Sequence, residues 1–255
     1  MDTNDLITPV PNEGDVNRCH SYIVSQLEEQ KKPLAPGRRR PHAPAITISY
    51  QVGSGAHEIA ERLAEVLQAD EPDAAVPWTV FDRQLVEKAL EEHQLPKALA
   101  KYMPEDRRTY VQDVLEEMLG LRPPSWVLEP KIAETVLHLA DAGHVILVGR
   151  GANFITARLP NVFHVRLIAS RPKRIERLQK LNHLRPPEAD RLVRNTDRAY
   201  GRFVKAHFHA RPADDLAYHL IINTDLVPCP EAARLIAAGV RRCFQGRDDD
   251  RQSNP

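Results

Sequence analysis

The chain has 255 residues, 42% hydrophobic and 27% charged, a composition typical of a folded α/β-sized domain and not of a disordered chain. Its 35 Lys and Arg residues balance 35 Asp and Glu residues, so no global basic field attracts it to nucleic acid or to an acidic membrane, and we expect neither partner. Three scattered cysteines and the lack of a membrane-length apolar run favour a reducing, cytoplasmic setting without disulfides or zinc.

Residues 1–44 are predicted to form an N-terminal arm. Positions 15–30 have the spacing of an amphipathic helix. Its apolar side carries Val16, Cys19, Ile23 and Leu27. Residues 31–44 contain five basic residues and four prolines, which is typical of an extended linker. The arm is either a solvated tether or a segment that docks a protein partner or a second subunit.

The folded domain is predicted to span residues 45–245, followed by a disordered polar tail at 246–255. Strands are predicted at 45–49, 79–81, 144–148, 162–169 and 219–222. Helices are predicted at 57–68, from 83 onward, and at 105–119, 126–141, 171–182, 187–208 and 230–243. Strands that alternate with helices predict an α/β fold with a parallel central sheet and helices on both faces. In such folds ligands bind beyond the carboxyl ends of the strands.

A glycine turn lies between the first strand and the first helix of this domain. The candidate phosphate-binding residues are Gly53, Ser54, Gly55, Ala56, His57 and Glu58. Glycines there let backbone N–H groups face an anion at the helix N-terminus. The turn departs from the pattern G-x-x-x-x-G-K-[ST], because Ala56 stands where that pattern has lysine. A junction between strand and helix that binds no ligand fits the turn equally well.

Two other predicted strands are also followed by charged residues. Arg150 follows the strand at 144–148, where a guanidinium can hold a phosphate through two parallel hydrogen bonds or pair with a carboxylate. Asp82 and Arg83 follow the strand at 79–81. The Asp82 carboxylate suits either a ligand hydroxyl or amine, or the N-cap of the next helix.

Arginines recur at helical spacing in the second half of the chain. One set is Arg191, Arg194, Arg198 and Arg202, and a second is Arg171, Arg174 and Arg177. Each set shares one helix face. Such a stripe is usually solvated, yet two arginine-rich helices also suit a lid that stabilises a transferring phosphoryl group. The nearby His207 and His209 lack the partners of a metal site, and we expect no protein-held metal.

Taken together, these segments resemble the cytidylate kinase-like family, a divergent branch of the nucleoside monophosphate kinases. The matching pieces are Ile46–Ser49, Gly53–Gly55, Glu58–Ala60, Phe81–Arg83, Val148–Gly151, Arg174–Arg177, Asp197–Arg198 and Ile222–Thr224. The resemblance runs from residue 45 to about residue 243. It implies a three-layer P-loop kinase fold with a helical monophosphate-binding insertion at about 82–130 and a helical lid at about 178–205.

The resemblance also implies an activity and residue roles. The implied reaction transfers the γ-phosphoryl group of ATP, with Mg²⁺, to a nucleoside monophosphate, by similarity CMP or dCMP. The turn from Gly53 to Glu58 would cradle the donor phosphates, and Asp82, Arg83 and Arg150 would bind the acceptor. Arg194 and Arg198, together with Arg150, would be the catalytic arginines.

This sequence departs from the family pattern around the glycine turn. Relatives that lack the P-loop lysine are rich in arginine there, whereas this chain has Tyr50 and His57. His57 could carry charge if a bound phosphate raises its pKa. Glu58 repels a triphosphate unless Mg²⁺ bridges the two, and Gly151 replaces an aspartate. A second hypothesis is therefore a nucleotide-binding or regulatory protein that has lost catalysis.

Overall fold

The computed structural model describes residues 12–32, 43–82, 84–86, 130–149 and 151–252. Arg83, Arg150, the predicted helix at 105–119 and most of the predicted insertion lie outside the described residues. None of the described helices is both long and apolar enough to cross a lipid bilayer.

Seven helices and five strands are described in this part of the chain. The helices are α1 (Glu13–Lys31), α2 (Ala56–Asp70), α3 (Pro130–Ala142), α4 (Ala152–Ile155), α5 (Arg171–Asn182), α6 (Pro186–Phe208) and α7 (Cys229–Gln252). The strands are β1 (Ala45–Tyr50), β2 (Thr79–Asp82), β3 (Val145–Val148), β4 (Val162–Ile168) and β5 (Leu220–Asn223). A single 3₁₀ turn, Asp215–Ala217, precedes β5.

The five strands form one all-parallel sheet in the order β2-β3-β1-β4-β5. Ile48 pairs with Val148 on one side and Val165 on the other, and Val148 pairs in turn with Asp82. The carboxyl ends of β1, β2 and β3 therefore meet at one edge. The predicted α/β class with a parallel central sheet is confirmed.

Two apolar layers enclose the sheet. One lies between the sheet and helices α1, α3 and α4, and its fully buried side chains include Phe81, Leu137 and Leu147. The other lies between the sheet and helices α2 and α7, around Ile48 and Leu63. Because the strands are covered on both faces, every residue of β1 and β3 is buried, and β3 is a continuous apolar run without alternation.

Helix α1 is part of this domain. It begins at a capping box in which Asn12 and Asp15 satisfy each other's backbone N–H groups. Tyr22 is fully buried against the ring of Phe81, and its hydroxyl donates a 2.6 Å hydrogen bond to the carbonyl of Gly143. The apolar face predicted from the sequence is thus covered by the chain's own core, and a partner is not needed to bury it.

Helix α7 extends further than the sequence indicated. We predicted a disordered tail from residue 246, but the helix continues to Gln252. The polar composition of this stretch suggested disorder. However, the stretch has no proline before Pro255. A helix whose earlier residues pack into the core can therefore continue through it without interruption.

Candidate functional site

The glycine turn between β1 and α2 forms the centre of the candidate site. Gly53 and Gly55 have φ angles of +82° and +86°, a left-handed conformation that side chains rarely adopt. A Cβ on Gly53 would lie 2.6 Å from the backbone oxygen of Arg174, so the turn packs directly against α5. Gly55 is the N-cap of α2 and supplies no side-chain cap. The first N–H groups of a 15-residue helix therefore face the turn, which suits an anion.

Two polar atoms in the turn region are buried without a hydrogen-bond partner among the described residues. They are the Ser54 hydroxyl and the His57 Nε2 atom. Burial lowers the pKa of His57, and the charge of Asp82 only partly opposes that shift. The imidazole is therefore neutral near pH 7 in the ligand-free protein. Buried polar groups are rarely left unpaired, so both atoms are candidates to bond a polar ligand.

The remaining turn residues have different surroundings. Ala56, at the lysine position, is buried. Glu58 is turned outward, where its carboxylate accepts a 3.1 Å hydrogen bond from Arg62 and contacts Cys229. The backbone of the turn thus suits phosphate groups, whereas the Glu58 carboxylate points away from the place where a phosphate-bound Mg²⁺ would lie. No group of three or more His, Cys, Asp or Glu side chains in the described ranges is arranged to hold a metal ion.

Asp82 acts as a helix cap in this structure. Its Oδ1 atom accepts a 2.9 Å hydrogen bond from the backbone N–H of Leu85. Burial raises the pKa of Asp82, while that hydrogen bond and the neighbouring His57 oppose the shift. The N-cap interpretation is therefore supported, and the carboxylate still lies at the same sheet edge as the end of β1. Arg83 and Arg150, predicted to work beside it, are outside the described residues.

An asparagine that the sequence analysis missed lies at the same edge. The Ser49 hydroxyl, at the end of β1, donates a 2.8 Å hydrogen bond to Oδ1 of Asn153 in α4. The Nδ2 group of Asn153 is buried and has no partner in the described part of the chain. Asn153 comes shortly after β3, and the sequence analysis considered only charged residues at the strand ends. A polar amide at such a position would also have indicated a candidate site residue.

A partly buried ion pair attaches α6 to α5 beside the turn. Arg174 is 4% exposed, and its two terminal nitrogens donate to the two carboxylate oxygens of Asp197 at 3.0 and 2.8 Å. One turn along α5, Arg177 donates to the carbonyl of Gly53 at 3.4 Å and to Thr224 at 2.8 and 2.6 Å. Two of the predicted α5 arginines therefore bind protein groups around the glycine turn.

The two predicted lid arginines are not brought to the turn. Arg194 is exposed and pairs with Asp190, which also accepts from Arg171. Arg198 is exposed as well. The side of α6 that packs onto the domain instead carries Ala189, Leu192, Val193, Thr196 and Val204. At 100° per residue, Arg198 lies on the opposite side of the helix.

A small cavity of about 130 Å³ lies next to the first residues of the turn. Its lining residues are Ser49, Tyr50, Gln51, Val52, Arg166, Asp197, Tyr200, Pro212 and Tyr218. The Arg166 guanidinium lies over the Tyr218 ring, 5.4 Å from its centroid, and its Nη1 atom is buried without a partner among the described residues. Burial raises the pKa of Tyr200, so its hydroxyl stays protonated. The cavity therefore combines a cation with hydroxyl groups beside the turn.

A parallel sheet with a glycine turn between its central strand β1 and the following helix α2 is an α/β arrangement that suits a phosphate-containing ligand. The cytidylate kinase-like family model matches residues 45–226, and the chain belongs to that family. Membership supports nucleotide-linked phosphotransfer as the general chemistry. No curated protein matches the chain.

Two solved structures resemble the fold loosely. An uncharacterized protein from Eubacterium ventriosum is 15% identical, with 78% of this chain and 98% of that chain covered and a TM-score of 0.48. A gluconokinase from Sinorhizobium meliloti is also 15% identical, with 84% and 100% covered and a TM-score of 0.42. At such scores neither likeness bears on the activity.

Proposed function

We propose that the protein transfers the γ-phosphoryl group of ATP to a nucleoside monophosphate, with CMP or dCMP as the acceptor suggested by the family. One observation carries the proposal. Two left-handed glycines present the uncapped N-terminus of α2, and in the same turn the buried Ser54 hydroxyl and His57 Nε2 have no hydrogen-bond partner among the described residues. Backbone N–H groups and a helix N-terminus bind phosphate well.

The described residues would act by binding and orienting in this mechanism. The turn from Gly53 to Gly55 would hold the donor phosphates through backbone N–H groups, and Ser54 would donate its hydroxyl. His57 would gain a proton as phosphate charge approaches, since an anion favours the charged imidazole. When bound, ATP with Mg²⁺ supplies the transferable phosphoryl group and its charge neutralisation.

The acceptor and the lid complete the proposal. Arg150 and Arg83 would hold the acceptor phosphate, with Asp82 nearby at the sheet edge. Arg194 and Arg198 lie on the outer side of α6, so a catalytic role for them requires α6 to turn or move from its described position. The backbone of Arg174 lies beside the turn, but its guanidinium is bonded to Asp197.

A second candidate function is nucleotide binding without turnover. Ala56 occupies the lysine position, and Glu58 is bonded to Arg62. Groups that act on the transferring phosphoryl group supply several kcal/mol of transition-state stabilisation, about tenfold in rate per 1.4 kcal/mol. A chain that lacks these groups can still bind phosphate in the turn, but it transfers the phosphoryl group much more slowly.

The experiment measures ADP release from Mg-ATP with CMP, dCMP, UMP, AMP and GMP in separate reactions, alongside the nucleotide-dependent shift in Tm. Arg150→Ala tests the acceptor site, and Arg242→Ala, which removes an exposed arginine on α7, is the matched control. Turnover that is lost with Arg150→Ala and kept with Arg242→Ala supports the kinase. A Tm shift without turnover supports the second function. If the protein shows no turnover and no Tm shift with any nucleotide, both proposed functions are overturned.

A further inference from the structure

The outer side of α6 carries a continuous row of cations. We name it the α6 basic stripe, and its members are Arg191, Arg194, Arg198, Arg202 and Lys205. All five side chains are exposed. At 100° per residue they fall within an arc of about 80°, and at 1.5 Å per residue they extend over about 21 Å. The stripe is straight because one uninterrupted helix, Pro186–Phe208, carries it.

The stripe faces solvent because the opposite side of α6 is committed to the domain. Leu192 and Val193 pack with Val52 and Leu178 in a separate apolar cluster. The Arg174–Asp197 ion pair fixes the same helix from its flank. The glycine turn and the α6 basic stripe are therefore on different sides of α6.

Most of the stripe's charge is not neutralised by the residues that the structure describes. On α6, Glu188 pairs with Arg185, and Asp197 pairs with Arg174. Asp190 pairs with Arg171 and with a single stripe member, Arg194. The other four members form no ion pair within the described ranges. A zero net charge describes the whole chain and does not remove this local field.

We propose that the α6 basic stripe binds the phosphate backbone of a duplex nucleic acid without reading its sequence. Four of its five cations are arginines, the side chain whose planar fork matches phosphate through paired hydrogen bonds. A duplex carries one negative charge per about 1.7 Å, which is dense enough to meet every cation of the stripe. The proposal is independent of phosphotransfer at the glycine turn.

The composition around the stripe favours nucleic acid over a protein or a membrane. Protein interfaces have an apolar core, whereas the exposed or half-buried positions that flank the stripe on α6 include Asn195, Ala199 and Gly201. Membrane-surface helices present large apolar side chains to the lipid, but on α6 Leu192, Val193 and Val204 are buried, and Phe203 and Phe208 are partly buried. Interfaces with nucleic acid are polar and strongly positive.

The test is fluorescence anisotropy of a labelled random-sequence DNA duplex of about 20 base pairs, titrated with the full chain at several salt concentrations. If four phosphates are neutralised, the slope of log K against log salt is about −3.6, at about −0.9 per phosphate. The triple variant Arg191→Gln, Arg202→Gln, Lys205→Gln should bring the slope to about −1 and weaken binding at least tenfold at low salt.

A matched triple variant separates the stripe from overall charge. Lys32→Gln, Arg234→Gln, Arg242→Gln removes three exposed cations that lie outside α6 and should leave the slope near the wild-type value. Equal losses in both triple variants overturn the proposal, as does wild-type chain that binds no duplex at about 50 mM salt. Binding to phosphatidylserine vesicles or to polyglutamate that matches or exceeds binding to the duplex also overturns it. Both variants change only exposed side chains, and an unchanged Tm verifies that they fold.

Discussion

Removing the carboxylate of Asp197 should loosen the attachment of α6. The Arg174 side chain is only 5% exposed, while that of Asp197 is 40% exposed. Losing one partner of a fully buried pair costs about 3–5 kcal/mol, and an exposed pair contributes about 1 kcal/mol or less. For this half-exposed carboxylate we expect Asp197→Ala to lower the free energy of unfolding by about 2–3 kcal/mol. That corresponds to a fall in Tm of roughly 5–10 °C for a chain of this size.

The assay is urea unfolding of Asp197→Ala, Arg174→Met and the double variant. Because Arg174→Met leaves no buried charge behind, the double variant should be less destabilised than the sum of the two single variants. Asp190→Ala is the control, since it removes a carboxylate whose arginine partners on α5 and α6 are well exposed, and its loss should be much smaller. Amide exchange should speed up in α6 before it does in β1. Strictly additive losses would refute the reasoning.

Three further variants test other parts of the structure. Tyr22→Phe removes the buried hydrogen bond to Gly143 and should lower the free energy of unfolding by about 1–2 kcal/mol in urea; no loss would show that α1 is not docked as described. Gly53→Ala places a Cβ against the Arg174 backbone at positive φ and should abolish any nucleotide-dependent Tm shift; an unchanged shift would remove the turn from the site. Burial lowers the pKa of His164 to about 4. The unfolded chain therefore binds its proton first, and stability should fall as pH drops from about 6.5 towards 4. His164→Gln should remove part of that pH dependence, and an identical pH profile would contradict the assignment.

The local pattern around the glycine turn was enough to predict its structure. Strand β1 has a β-branched run ended by the turn, and α2 has apolar residues at helical spacing, so each element is determined by neighbours in sequence. The sheet followed from the alternation of such units, because crossovers between parallel strands need helices. The same stretch of sequence also showed that alanine occupies position 56, where the phosphate-binding pattern has lysine.

The positions of α1 and of the α6 arginines depend on tertiary packing. The spacing of Cys19 and Ile23 predicted an apolar face, but not that β2 and α3 of the same chain would cover it. Likewise, the 3-4-4 spacing of the arginines predicted a shared face of α6, but not which way it points. That direction is decided by Leu192 and Val193, which supply more apolar area to bury than the arginines do.

The cations beside the glycine turn are already bound to protein groups. Arg177 donates to Gly53 and Thr224, and Arg174 donates to Asp197. Neither guanidinium can replace the lysine that is absent at position 56 unless these bonds break. Phosphate in the turn therefore depends on backbone N–H groups and on the N-terminus of α2, which acts as about half a positive charge. Such a cradle binds phosphate more weakly than one with a lysine. ADP release and Tm shifts should therefore both be measured at saturating nucleotide. Only then does a lack of turnover show that the chemical step is missing, because weak binding has been ruled out as the cause.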